Sequence, residues 1–157
     1  MKIKLTKPQH KVSSSKKRFR VLVSGRRFGK TFLCITEMMK FATQVGKTIW
    51  YVAPTFKMAR EIVWLKLKQI LSDFNWIESI NETNLSIKIK KTGSIISLKG
   101  CENYDSLRGV GIDFLILDEF ADIDEKAWTE VLRASVADTQ GDVLMCGSPK
   151  GFGNWSY

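Results

Sequence analysis

The chain has 157 residues, enough for one domain with a real core, and 44% hydrophobic with 11% aromatic content excludes a disordered polypeptide. Its net charge of +9 belongs to the start: residues 1–30 carry 11 of the 25 Lys and Arg and no acid, while the rest nets −2. No apolar run approaches a membrane span, the basic start lacks the apolar core of a secretion signal, and three cysteines without C-x-x-C spacing (Cys34, Cys101, Cys146) support neither a disulfide framework nor a zinc site.

Residues 1–18 read as a polar, basic segment with Ser13-Ser14-Ser15 as a flexible joint. Such a segment suits contact with nucleic-acid phosphates or a nucleotide, and it equally suits a solvated tail. His10, the single histidine, has no obvious partner and receives no chemistry. Phe19–Ser24 is a Val- and Leu-rich strand. A helix opens near Gly29, with Cys34, Met38, Phe41, Ala42 and Val45 at helical spacing, and Gly46 stops it. Thr48–Ala53 is a second strand, ended by Pro54, and Phe56 to Ser72 forms an amphipathic helix. Leu85–Lys90 and Ile96–Lys99 alternate about a Thr92-Gly93 turn and predict an antiparallel hairpin. Ile112–Leu117 has the unbroken apolar run of a central parallel strand. A helix bearing Trp128, Val131, Leu132 and Ser135 follows, then a strand over Asp142–Cys146. Strands alternating with helices predict an α/β fold whose mainly parallel sheet is flanked by helices, the hairpin being an insertion.

Two places carry chemistry. Ser24-Gly-Arg-Arg-Phe-Gly-Lys-Thr31 follows the first strand and ends as a P-loop, although Ser24 stands where the usual first Gly would be. Backbone N–H groups from Ser24 to Thr31 can wrap a triphosphate, Lys30 can reach its outer phosphates, and the Thr31 hydroxyl can hold Mg²⁺. Arg26 and Arg27 are unusual in such a loop. A guanidinium near the γ-phosphate neutralises charge during phosphoryl transfer, a role that suits Arg26 better than Arg27. Phe28 reads as a packing residue.

The second place is Phe114-Leu-Ile-Leu-Asp118-Glu119, with Asp118 lying 88 positions after Lys30. A buried strand leaves its terminal acids at the carboxyl edge of the sheet, where ligands bind in open α/β folds. Asp118 would hold Mg²⁺ through water, and Glu119, pointing elsewhere, would deprotonate an attacking water. A lone G-K-T or a lone strand ending in acids is weak. In this order, with a further strand between them, they predict a Mg²⁺-dependent ATPase of the P-loop NTPase type (RecA-like, or ASCE).

Ser24–Thr31, Trp50-Tyr-Val-Ala-Pro-Thr55, Ser106-Leu-Arg-Gly109, Phe114–Asp122 and Cys146-Gly-Ser-Pro-Lys-Gly151 together resemble the large terminase subunit of tailed bacteriophages, the ATPase motor that packages DNA into proheads. The resemblance implies Walker-A roles for Lys30 and Thr31, a Walker-B role for Asp118 and a catalytic carboxylate at Glu119. It makes Arg26 the in-loop γ-phosphate sensor, Arg108 an arginine offered to a neighbouring subunit's ATP, and Gln9 an adenine-reading residue. Gly147-Ser148-Pro149 is similar to the coupling motif. Implied partners are double-stranded DNA, a homo-oligomeric ring on the portal of the prohead and the small terminase subunit, in the host cytoplasm and without a membrane. Such subunits also carry a nuclease domain with clustered carboxylates; the expectation is therefore residues 19–157 as a C-terminally truncated ATPase domain without nuclease activity. A helicase-like ATPase and an ATP-binding assembly module with little turnover are the alternatives. Phe120-Ala121 does not complete a DEAD or DExH signature, which counts against the helicase.

Overall fold

The computed structural model describes residues 2–150 and Trp155, so Gly151 of the last motif lies outside the described residues. Among the described residues there are seven strands: β1 (Phe19–Val23), β2 (Thr48–Ala53), β3 (Ile77–Asn81), β4 (Ser86–Ile89), β5 (Ile95–Gly100), β6 (Phe114–Asp118) and β7 (Asp142–Gly147). They form one sheet in the order β1-β7-β6-β2-β5-β4-β3. β1, β7, β6, β2 and β5 run parallel, and β5, β4 and β3 form an antiparallel meander at the far edge.

The expected hairpin exists, as β4 and β5, but it is woven into the sheet. β5 pairs in parallel with β2 from Thr48↔Ile95 to Ala53↔Gly100. β3 was not foreseen. Four of its five residues are exposed and its ladder is irregular between Ile77 and Ser79, so it lacks the buried alternation that marks a strand in sequence.

Alternation divides the core into two layers. Ile49, Tyr51, Phe114, Ile116, Leu144 and Cys146 face one side, covered by α1 (Lys7–Ser14), α2 (Lys30–Ala42), α3 (Phe56–Ala59) and α4 (Leu65–Asp73). Trp50, Val52, Leu115, Leu117, Val143 and Met145 face the other, under α5 (Arg133–Thr139) and the turn before it. α3 and α4 join through a π-helical turn, Arg60–Trp64, giving the predicted helix from Phe56 a local widening. β1 lies at the open edge of the sheet, with Phe19, Val21 and Val23 exposed on the second face.

α1 corrects the reading of residues 1–18. Ser13 and Ser14 belong to its last turn and Ser15 is its C-cap, where a flexible joint was expected. The signal was legible: Thr6 and Gln9 form a reciprocal capping box, with Pro8 in the first turn. Three contacts anchor the helix. Gln9 reaches the loop after β1, Arg20 Nη1 donates to Val12 O at 3.0 Å, and Lys40 Nζ donates to Ser13 O at 2.7 Å.

Arg20 and Glu37 are both buried, and Nη1 lies 2.8 Å from Glu37 Oε2. The contact is not aligned as a hydrogen bond, so its strength is Coulombic, and it ties β1 to α2. Glu37→Ala leaves the Arg20 charge buried without its counter-ion and is expected to cost about 3 kcal/mol of stability, read from urea unfolding. A loss under about 1 kcal/mol would show that the pair is not a structural tie.

Candidate nucleotide site

Register decides where the chemistry sits. β7 separates β1 from β6, with Val23↔Gly147 on one side and Asp118↔Cys146 on the other. The end of the P-loop strand, the Gly147-Ser148 turn and the two acids therefore share the carboxyl edge of the sheet. The P-loop and acid strands are not neighbours; they stand two strand spacings apart, roughly 10 Å. Side chains and the β7 turn bridge that gap.

The loop leaves β1 as a short 3₁₀ turn, Arg26–Phe28, and Gly29 then starts α2. Gly29 has φ +80°, a conformation that favours glycine, and a Cβ there would meet Gln9 Nε2 at 2.7 Å and displace that amide. α2 directs its positive dipole end into the loop. Lys30 Nζ donates to Ser24 O at 3.0 Å, Gly25 O at 3.4 Å and Ser148 Oγ at 3.3 Å. Ser148 Oγ in turn donates to Glu119 Oε1 at 3.4 Å. One hydroxyl thus links the P-loop lysine to the second acid.

Glu119 sits in the left-handed region, φ +49°, ψ +46°. That conformation strains a non-glycine residue, and it turns the chain out of β6 so that Glu119 diverges from Asp118. Its Oε2 is buried without a hydrogen-bond partner among the described residues. Asp118 is 6% exposed, accepts from the Tyr51 hydroxyl through Oδ2 and from the Glu119 N–H through Oδ1 at 3.0 Å. Burial, then the Asp118 charge, push the Tyr51 phenol well above its ordinary value, so it remains a donor. Burial likewise raises the Asp118 carboxyl; Glu119 adds to the rise, while the Tyr51 hydroxyl, the Glu119 N–H and Lys30 oppose it.

A cleft of about 720 Å³ opens over these groups, lined by Arg26, Gly29, Lys30, Thr31, Glu119 and Ser148 among others. Sequence reasoning missed Asp122 and Lys150, which pair across its rim at 3.0 Å, and Lys66, which lies 5.7 Å over the Phe32 ring. It also gave no role to Tyr51, though a lone phenol in an otherwise apolar strand was a usable sign. Ser24, Gly25, Arg27, Phe28 and Asp118 are not among the cleft's lining residues. Gln9 is 4% exposed and its amide is engaged: Oε1 accepts from Thr6 N–H at 2.9 Å, and Nε2 donates to Phe28 O at 3.0 Å and Gly29 O at 3.2 Å. Arg108 is exposed and lies outside the cleft, with Nη2 3.0 Å from Asp105 Oδ1 and Nη1 donating to Glu130 O at 3.1 Å. A second cavity, about 370 Å³ beside Phe74, Trp76 and Lys90, lies toward the other end of α2 and shares no residue with the cleft.

The donor set around Thr31 and Asp118 is hydroxyl and carboxylate oxygen, the chemistry Mg²⁺ prefers. Both Asp118 oxygens already accept hydrogen bonds, so the residue suits water-mediated contact with a cation better than direct ligation. Among the described residues, no group of three His, Cys, Asp or Glu could hold a metal alone.

Sheet order and the loop-to-acid juxtaposition define a RecA-like P-loop NTPase fold. The family model for the N-terminal part of the T4likevirus-type terminase large subunit matches residues 21–149, and the chain belongs to that family. It is 27% identical over 173 residues to the terminase large subunit of Thermus phage G20c, spanning 96% of this chain and 35% of that protein. The Thermus phage P74-26 large terminase ATPase domain superposes with a TM-score of 0.82 at 25% identity, covering 96% of this chain and 67% of that one. The large terminase of another thermophilic bacteriophage, solved in complex with ATP-gamma-S, has the same fold at TM-score 0.75 and 18% identity, covering 92% of this chain and 38% of that one. The chain thus spans about a third of the curated relative's length.

A carboxyl raised on folding holds its proton more tightly in the folded chain, so its contribution favours folding below the ordinary value of 3.8 and is lost as pH climbs through the raised one. At neutral pH the Asp118 charge is therefore a net cost. Asp118→Asn keeps an acceptor for Glu119 N–H and offers a donor to Tyr51. Its melting temperature, without metal or nucleotide, is expected to exceed that of the wild type at neutral pH, with the gain shrinking as pH falls toward 3.8. A gain independent of pH would contradict this account.

Proposed function

We propose that this chain is the ATP-hydrolysing part of a terminase motor that drives double-stranded DNA into a prohead. The observation that carries the reading is the polar chain from Lys30 through Ser148 to Glu119 across the mouth of the cleft. A phosphate-binding amine, a strand-end hydroxyl and a carboxylate with a buried free oxygen meet where a triphosphate would lie.

In this reading Lys30 exchanges the Ser24 and Gly25 carbonyls for phosphate oxygens, and the N–H groups of the loop and of α2's first turn bind the rest. Thr31 and, through water, Asp118 would hold Mg²⁺, which supplies charge neutralisation on the β- and γ-phosphates. Glu119 orients a water and takes its proton as oxygen attacks the γ-phosphorus; the bond to the bridging oxygen breaks, giving ADP and phosphate. Arg26, exposed at the cleft rim, reaches the γ-phosphate in the same subunit. Ser148 touches both Lys30 and Glu119, so loss of phosphate changes its partners at the end of β7, as a coupling residue requires.

Arg108 lies outside its own subunit's cleft and suits delivery to a neighbour's nucleotide in a homo-oligomeric ring. Gln9 reads adenine only by exchanging its present partners. The portal, the small terminase subunit and action in the host cytoplasm belong to the same proposal. No described helix is long and apolar enough to cross a membrane.

Glu119→Gln is expected to bind a fluorescent ATP analogue as the wild type does while phosphate release falls by about 10²- to 10⁴-fold. Lys30→Ala weakens binding and turnover together. Undiminished turnover in Glu119→Gln would sink the assignment of the base. Specific activity should rise steeply with protein concentration, because Arg108 acts between subunits; a flat, near-zero line favours the assembly module.

A further inference from the structure

Part of the N-terminal charge excess lies on and beside a folded, anchored helix. Lys7, His10 and Lys11 are exposed on α1, and Lys4, Lys16 and Lys17 flank it, also exposed. No ion pair among the described residues involves these five lysines. A solvated tail would need neither a capping box nor a 4%-exposed glutamine docked on the P-loop. Its inner side is fixed by Gln9 to Phe28 and Gly29, by Arg20 to Val12 and by Lys40 to Ser13. The outer side presents cations with no internal counter-charge.

We infer that this outer face of α1 contacts the phosphate backbone of duplex DNA, and that Gln9 transmits the contact to the nucleotide loop. The inference rests on the packaging reading and adds the DNA-facing surface and its link to ATP. Charge complementarity selects the occupant. Lysines on flexible stems, with no Phe, Tyr or Trp on the helix to stack on bases, suit a sequence-independent grip on phosphates. A motor that moves along DNA of any sequence requires such a grip. Movement of α1 on DNA must shift Gln9, whose amide holds the carbonyls of the two residues before Lys30. Binding at one site then changes affinity at the other, and the change must be reciprocal.

The test is Lys7→Glu/Lys11→Glu in the full chain, with Lys7→Gln/Lys11→Gln as a milder pair. Neither lysine lines the cleft, so affinity for a fluorescent ADP analogue without DNA should match the wild type. Anisotropy of a labelled duplex should show at least about 10-fold weaker binding for the charge-reversed pair. The slope of log affinity against log salt should fall by about 2, one for each lost phosphate contact. The Gln pair should lose the same slope with a smaller drop in affinity. In the wild type, duplex should also change affinity for the ADP analogue, and the Glu pair should lose that response.

If the wild type binds duplex and the variants bind it equally well, the α1 assignment fails while the packaging reading stands. If the wild type binds no duplex at all, the packaging reading itself fails. Equal binding of polyglutamate with the same lysine dependence would assign the face to an acidic protein surface instead. Duplex binding that leaves affinity for the ADP analogue unchanged overturns the link through Gln9.

Discussion

The site depends on one constraint, the insertion of β7 between the P-loop strand and the acid strand. Parallel pairing on both sides brings Val23, Gly147 and Asp118 to the same edge of the sheet. Without β7 the P-loop strand would have no ladder to the rest of the sheet among the described residues. With it, the residue just past the strand, Ser148, lies within 3.4 Å of both a P-loop amine and a carboxylate. The sheet is therefore not only a support for the loops. The turn that leaves β7 supplies the atom through which the two halves of the site touch.

Burial sets the two adjacent acids apart. Asp118 ends β6 inside the core, where the Tyr51 phenol and a backbone N–H satisfy both of its oxygens. Glu119 leaves the strand through a strained backbone turn and keeps one buried oxygen free. Adjacent acids in sequence thus acquire different environments, one held and one available. Backbone strain of this kind persists only where packing over-determines it, and Phe120, 4% exposed directly after the turn, supplies that packing.

Much of this was legible before any coordinates. β1, β2, β6, β7 and the helices after the loop announce themselves through apolar runs and spacing, because each buries a continuous face. Lys30, Thr31 and Glu119 stand out in local motifs, and all three line one cleft. What escaped has a common cause. β3 is an exposed edge strand, and the union of β5 with β2 depends on pairing between distant segments, which no local period encodes. Tyr51, Asp122 and Lys150 matter through partners remote in sequence. α1 was different: its capping box was written in Thr6 and Gln9, and the surrounding lysines drew attention to charge instead of fold.

The open side of β1 bears on how the protein behaves in solution. Phe19 is 51% exposed, Val21 64% and Val23 54%, on a strand with no neighbour on its outer flank among the described residues. Bare strand flanks with oily side chains template the stacking of identical molecules. Lys16, Lys17 and Arg18 sit at the entrance to that strand, where like charges oppose the approach of a second copy. Concentrated salt, the usual means of stripping nucleic acid from a basic protein, shortens the reach of that repulsion to about 3 Å at 1 M. A high-salt wash therefore also weakens the charges that oppose stacking along β1.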